Sequence, residues 1–276
     1  MDAIPSERGT TFRYPSTANL YVDSLDRVNP NDSSANFLIN RPNNILSGFF
    51  TRLALNEIVL DYGVPNVRAV DSNNTFSVLI GSTPQNITLS DGFYTAKEAL
   101  DRIVALLNIA VGSATFSITT DADGDVFLTN TSNYTIVETN LSVQLNITGS
   151  ATASLSKLVE SPVLLPTKYI DIVCDNLTYC QDLKDTSTNA TARDVLYRWY
   201  FAWDNECSYD AYGFPILQGY RQFIQRRYLS FPKQIKWDNN QPIGQLSFQI
   251  YDNSGDLYNT TNGELEYNMS LLVSEV

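Results

Sequence analysis

Histidine is absent from the 276 residues of this chain. That removes the commonest general base, the commonest zinc ligand and the usual switch near neutral pH. Cysteine is scarce. Cys174, Cys180 and Cys207 are the only three, an odd count without the spacing of a disulfide framework. Free, mostly buried thiols in a reducing compartment are the simpler reading. Basic residues are few: Lys and Arg number 18 against 30 Asp and Glu, a net charge of −12. Such a surface is repelled by phosphate backbones, so no nucleic-acid specificity is expected. The best basic stretch is "RQFIQRRY", Arg221–Tyr228. It is short and interleaved with apolar residues, and reads as a strand or loop with solvated arginines. Long apolar runs are missing as well. None approaches the roughly 18 residues of a membrane span, and the segment Met1–Ala18 holds no apolar stretch of signal-peptide length. The expectation is therefore no membrane span and no secretory signal. Eleven Asn-x-Ser/Thr triplets occur, Asn73, Asn86, Asn130 and Asn133 among them. In a chain this rich in Asn, Ser and Thr they read as composition rather than glycosylation.

What is present favours strands. Hydrophobic residues make up 43%, and the 16 Tyr and 13 Phe suit a pleated, half-buried surface. Residues 1–18, with Pro5, Gly9 and Pro15, have little periodicity and read as an N-terminal arm. A short strand follows in "NLYVDSLDR", and "ANFLINRP" puts Phe37 and Ile39 on one face. "TRLALNEIVLDYGVPN" is a strong strand. Simple alternation assigns Leu53, Leu55 and Val59 to one face and Ala54, Ile58 and Leu60 to the other. "NTFSVLIG" and "QNITLS" read as strands joined around Pro84, and Asp91-Gly92 as a turn.

One helix is well signposted. Thr95 and Glu98 form a capping box, Ala99, Leu100, Ile103, Val104 and Leu107 recur at helical spacing, and Gly112 stands at the stop. "ATFSITTDADGDVFLTN" is a hairpin, "NYTIVETNLSVQLNIT" one or two strands, and Ala153–Ser161 a possible second short helix. After Pro162 and Pro166 the strong strands return. "YIDIVCDNL" places Ile170, Ile172 and Cys174 together, and "DVLYRWYFAW" places Val195, Tyr197, Trp199, Phe201 and Trp203 together. The hairpin "GQLSFQIYDNSGDLY" turns Leu246, Phe248 and Ile250 inward, and "ELEYNMSLLV" alternates Leu265, Tyr267, Met269, Leu271 and Val273 against polar partners. No repeat period is present. The economical architecture is mainly β: an antiparallel sandwich from residues 19–75 and 161–276, with residues 76–160 inserted as a small α+β domain containing one helix.

Reactive constellations are weak. "DADGD", Asp121–Asp125, alternates carboxylates but lacks the spacing of a twelve-residue calcium loop, and a hairpin turn explains it. Glu57 interrupts an apolar strand, and Glu264 and Glu266 share a face that reads as solvated. A glycosidase would need two such acids at a fixed separation. A cysteine nucleophile lacks its histidine, and no Gly-rich phosphate loop is present. Arg8, Arg13 and the Asp26-Arg27 pair suit inter-subunit contacts or local ion pairs. Trp199 and Trp203 suit the core, and Trp237 is less constrained. No catalytic residue, metal ligand or cofactor site is assigned.

Three stretches together resemble a known family. They are "LYVDSLDR" with "ANFLINRP" and "LALNEIVLDYGVPNV"; "NNTFSVLI" with "ITLSDGFYTAKEAL"; and "FPKQIKW" with "LSFQIYDNSGDLY" and "ELEYNMSLLVSE". The chain is similar to minor capsid proteins of tailless icosahedral double-stranded DNA viruses, above all the single jelly-roll penton (vertex) proteins of virophages and polinton-like viruses. The resemblance implies a single jelly roll that assembles as a homopentamer at the capsid vertex, against the major capsid protein and other minor capsid proteins. It also implies a location in the virion, assembled inside the host cell. Closed rings of that kind use heterologous interfaces. Another minor capsid or cement protein, a β-sandwich glycan- or receptor-binding module and a carboxylate hydrolase are the alternatives.

Overall fold

The structure is a computed structural model that describes residues 17–42, 45, 50–113, 115–147, 152–178, 195–201, 208–230, 232–236 and 242–275. In chain order the first elements are β1 (Thr17–Asp23), β2 (Asn36–Asn40), β3 (Arg52–Gly63), β4 (Thr75–Ile80) and β5 (Thr83–Thr88). Then come α1 (Ala96–Val111), β6 (Phe116–Thr120), β7 (Val126–Val137), α2 (Asn140–Gln144), β8 (Ser154–Val159), β9 (Tyr169–Val173) and α3 (Asp175–Thr178). The chain closes with β10 (Val195–Tyr200), β11 (Ser208–Tyr209), β12 (Pro215–Ile216), β13 (Phe223–Tyr228), β14 (Gln234–Lys236), β15 (Gln245–Asp252) and β16 (Glu264–Ser274).

Nine strands build two facing antiparallel sheets. One has the order β1-β16-β3-β13, with β14 also paired to β3, and the other β10-β9-β15-β2. Successive sandwich strands alternate between the sheets except β9 and β10, which are paired neighbours in one of them, and β13 and β14, which both pair with β3 in the other. The last strand lies between the first and third. This is the strand order of a single jelly roll. Alternating apolar side chains fill the space between the sheets. Phe37 of β2 stacks on Phe248 of β15 at 5.5 Å between ring centroids, and both meet Tyr267 of β16. At the other end, Tyr62 contacts Phe201 at 4.6 Å and Phe223 at 5.3 Å. Every inward residue expected on β16, from Leu265 to Val273, is buried.

The alternation expected along β3 is broken, and the structure gives the reason. Ser270 pairs with Glu57 but Leu271 pairs with Leu55, so Asn56 is an extra residue, a β-bulge. A one-residue insertion swaps the faces beyond it. Leu53 and Leu55 therefore share the core face with Ile58, Leu60 and Tyr62, while Val59 turns to the other side with Glu57 and Asp61. The bulge sits where the edge partner of β3 changes from β13 to β14. Leu229 donates its backbone N–H to the Asn56 carbonyl there at 3.0 Å.

A third sheet, ordered β5-β4-β7-β6 with β8 beside β7, uses strands contiguous in sequence. α1 covers it through Ala99, Leu100, Ile103 and Leu107, all buried, while Val104 is half-buried. The Thr95–Glu98 capping box is formed, and Gly112 ends the helix in the left-handed region at φ 74°. Three local expectations are corrected. Residues 154–159 form β8 and no helix; Lys157 and Val159 are buried at a spacing of two while Leu155 is exposed. Asn140–Gln144 is one helical turn, because Thr139 and Ser142 cap it reciprocally. The β4–β5 connection is Gly81-Ser82, since Ile80 pairs with Thr83, and Pro84 lies inside β5. At Asp91 the chain bends between β5 and α1, and Gly92 bridges Val67.

Candidate assembly surfaces

The residues singled out from sequence are dispersed, and most have structural work. In Asp121–Asp125 the Asp121 carboxylate accepts the backbone N–H groups of Asp123 and Asp125 at 3.0 and 2.9 Å, which makes a hairpin turn. Glu57 is ion-paired with Arg226 of β13. Glu266 is gripped by Arg27 through both terminal guanidinium nitrogens and also accepts from the Ser24 hydroxyl. Asp26 pairs with Arg41 at 3.0 Å, so the Asp26-Arg27 pair is split between two partners. Glu266 stands opposite Asp61, four residues along β3 from Glu57. At about 3.3 Å per residue the backbone positions of the two glutamates are roughly 13 Å apart along the strands, and each carboxylate has its own arginine partner. Glu264 is exposed at the start of β16. Cys174 is buried, and burial pushes its thiol up to about 12. Trp199 is buried beneath the Arg227 guanidinium, which lies 4.2 Å from its ring centroid. Arg8, Arg13, Cys180, Trp203, Cys207 and Trp237 lie outside the described residues. Among the described residues no group of three metal-ligating side chains comes together, and no helix is long and apolar enough to cross a membrane.

The polar groups that tie the third sheet to the sandwich went unmarked in the sequence. Asn66, fully buried, donates to the carbonyls of Tyr94 and Leu164 at 2.9 and 2.8 Å and accepts the Tyr94 N–H at 2.9 Å. Arg68, also buried, pairs with Asp71 at 2.7 Å and donates to the carbonyls of Asn259 and Thr261. Asp91 accepts from the Ala69 N–H and from the Asn262 amide. From the β11–β12 hairpin, Asp210 accepts the Lys97 N–H, and Tyr212 donates to Asp101 at 2.7 Å. Burial, then the Asp101 contact, pushes the Tyr212 phenol up to about 12. The one sequence signal for such residues is a polar side chain inside an otherwise apolar run. Asp171 in "YIDIV" is the clearest case; it holds Arg198 by two bonds of 2.6 and 2.7 Å.

The sandwich has two lateral sides. On one, β13 and β10 approach each other, as the Trp199–Phe223 stacking shows. β13 alternates: Phe223, Gln225 and Arg227 are half-buried, while Ile224, Arg226 and Tyr228 are exposed. On the other, β1 and β2 flank a cleft of about 340 Å³ lined by Leu20, Val22, Ile39, Pro42 and Leu246, with Tyr21, Asp26 and Arg41 at its wall. No strand among the described residues pairs with the outer edge of β1 or of β13.

Two sheets in this order, with a third sheet between the third and fourth strands, define a jelly-roll protein carrying an inserted α+β unit. No protein-family model matches the chain, and no curated protein matches it in sequence. Among solved structures it is similar to the mavirus penton protein, known from a crystal structure of its selenomethionine form. The TM-score is 0.52 at 11% identity, over 96% of this chain and all of that one. The chain thus has a virophage penton-like fold.

Proposed function

We propose that this chain is a structural virion protein: a penton capsid protein that forms pentameric rings at the vertex and contacts the major capsid protein. The observation that carries the reading is the match of the whole fold, inserted unit included, to a penton protein. A shared jelly roll without the insertion would carry much less, because that fold hosts many functions. The dispersed, structurally occupied carboxylates agree with a role in assembly rather than turnover. In this reading residues 1–18 are the arm, 19–75 and 161–276 the jelly-roll domain, and 76–160 the inserted domain. The confinement of the third sheet to Thr75–Val159 supports that division.

The test is the mass of the purified chain by analytical ultracentrifugation together with its position in a particle reconstruction. The expected result is a species of five chain masses and density at the five-fold vertices. A chain that stays monomeric and is absent from the vertices overturns the proposal.

A further inference from the structure

We infer that the two lateral edges of the sandwich are the two halves of one heterologous interface, and that each takes a second copy of this chain. The inference rests on the ring reading above and adds which surfaces meet.

The two edges differ in charge. The segment Ala211–Trp237 holds five Lys and Arg and no Asp or Glu, in a chain of net charge −12. It supplies β13 and β14. Arg226 is held by Glu57 and Arg227 lies over Trp199, which leaves Arg221 and Lys236 exposed with no carboxylate paired to them among the described residues. The opposite edge is acidic. Asp23, Asp26 and Asp32 stand on β1 and the turns after it, where Arg27 is engaged by Glu266 and Arg41 by Asp26. No described Lys or Arg pairs with Asp23 or Asp32; Asp23 accepts from the Leu25 N–H and the Asn268 amide, and Asp32 from the Asn29 amide.

Both edges are also apolar where a stable contact needs them to be. Ile224 and Tyr228 are 70% and 64% exposed on β13. Tyr21, Leu25 and Val28 are 69%, 67% and 59% exposed on the other side, beside the cleft. Exposed apolar groups clustered inside a charged rim mark interaction sites. β1 and β13 are opposite edges of the same sheet, so neither patch can reach the other within one molecule. Like charge on like edge disfavours a two-fold contact, whereas basic edge against acidic edge attracts and orients. A contact between two different patches runs head to tail, and closes into a ring when the rotation per subunit divides the circle. Covering both edges also gives partners to the two rows of backbone groups that no described strand pairs.

The experiment uses two full-length variants, Ile224→Glu and Tyr21→Glu, each at an exposed position. Thermal melts within a few degrees of wild type establish that both fold. Each variant alone is expected to sediment as a monomer. Each keeps one intact edge, so an equimolar mixture is expected to form a one-to-one heterodimer that grows no further. Assembly lost in Ile224→Glu but kept in Tyr21→Glu overturns the inference and points to a two-fold contact or another partner on β13. Wild-type rings that tolerate both substitutions overturn the edge assignment alone. A wild type that never assembles overturns the ring reading with it.

Discussion

Asp210 and Lys97 are 113 residues apart in sequence, yet the Asp210 carboxylate accepts the Lys97 backbone N–H at 3.1 Å. The same carboxylate closes its own hairpin by accepting the N–H groups of Tyr212 and Phe214 at 2.9 and 3.0 Å. One side chain therefore satisfies a first-turn N–H of α1 and folds the loop that reaches it. Asp210→Ala is expected to cost about 1–2 kcal/mol, the range for a lost helix N-terminal acceptor. Urea unfolding gives the magnitude. Hydrogen exchange should quicken selectively in the first turn of α1 and in residues 208–216; a uniform change would argue against the clasp.

Asn66 is the second joint. Its amide makes three hydrogen bonds to backbone groups of two different segments while almost wholly buried. Asn66→Leu keeps the volume but strands the Tyr94 N–H and the Leu164 carbonyl. Each buried unpaired group costs about 1–3 kcal/mol. The expected outcome is a loss of several kcal/mol by denaturant titration, against under about 0.5 kcal/mol for the exposed control Asn19→Ala.

The bulge at Asn56 decides which side of β3 faces the core. Deleting Asn56 would restore strict alternation and turn either Leu53 and Leu55, or Ile58, Leu60 and Tyr62, away from the sandwich. The expected result is insoluble or unfolded protein, read by expression and circular dichroism. Asn56→Ala keeps the residue count and is expected to fold. If the deletion variant folds with wild-type stability, the register described for β3 and β16 is wrong.

Alkaline pH should unfold the protein cooperatively. The Tyr62 and Tyr258 hydroxyls meet at 2.9 Å in the core. Burial pushes Tyr258 from its ordinary 10.0 up to about 12, and Tyr62 well above its ordinary value. In the unfolded chain both ionise near pH ~10. Above that pH the folded state binds more protons than the unfolded one, so stability falls as pH rises. Their contribution is full below pH ~10 and lost as pH climbs towards about 12. Tyrosinate absorbance should rise together with the loss of ellipticity in that window. Ionisation of these buried phenols well before unfolding would contradict their placement.

The inward residues of β2, β15 and β16 follow from strict alternation, and α1 follows from its capping box, its apolar stripe and Gly112. These signals are local: each is set by the geometry of a few neighbouring residues, so the sequence by itself determined them. It also carried the basic stretch Ala211–Trp237 and the absence of histidine. The tertiary structure alone decided the rest. The bulge at Asn56 arises because β3 must match β16 along 11 paired positions while its edge partner changes from β13 to β14. Residues 154–159 extend because the free edge of β7 offers them backbone partners that an isolated helix turn cannot match. Asn66, Arg68 and Asp210 look like ordinary loop residues until the fold brings their partners to them from 28 to 193 residues away. Strand order is a property of long-range pairing, and no local pattern records which strand lies beside which. So the sequence named the faces of β2, β15 and β16, and only the tertiary structure settled those of β3 and set the basic and acidic edges on opposite sides of one sheet.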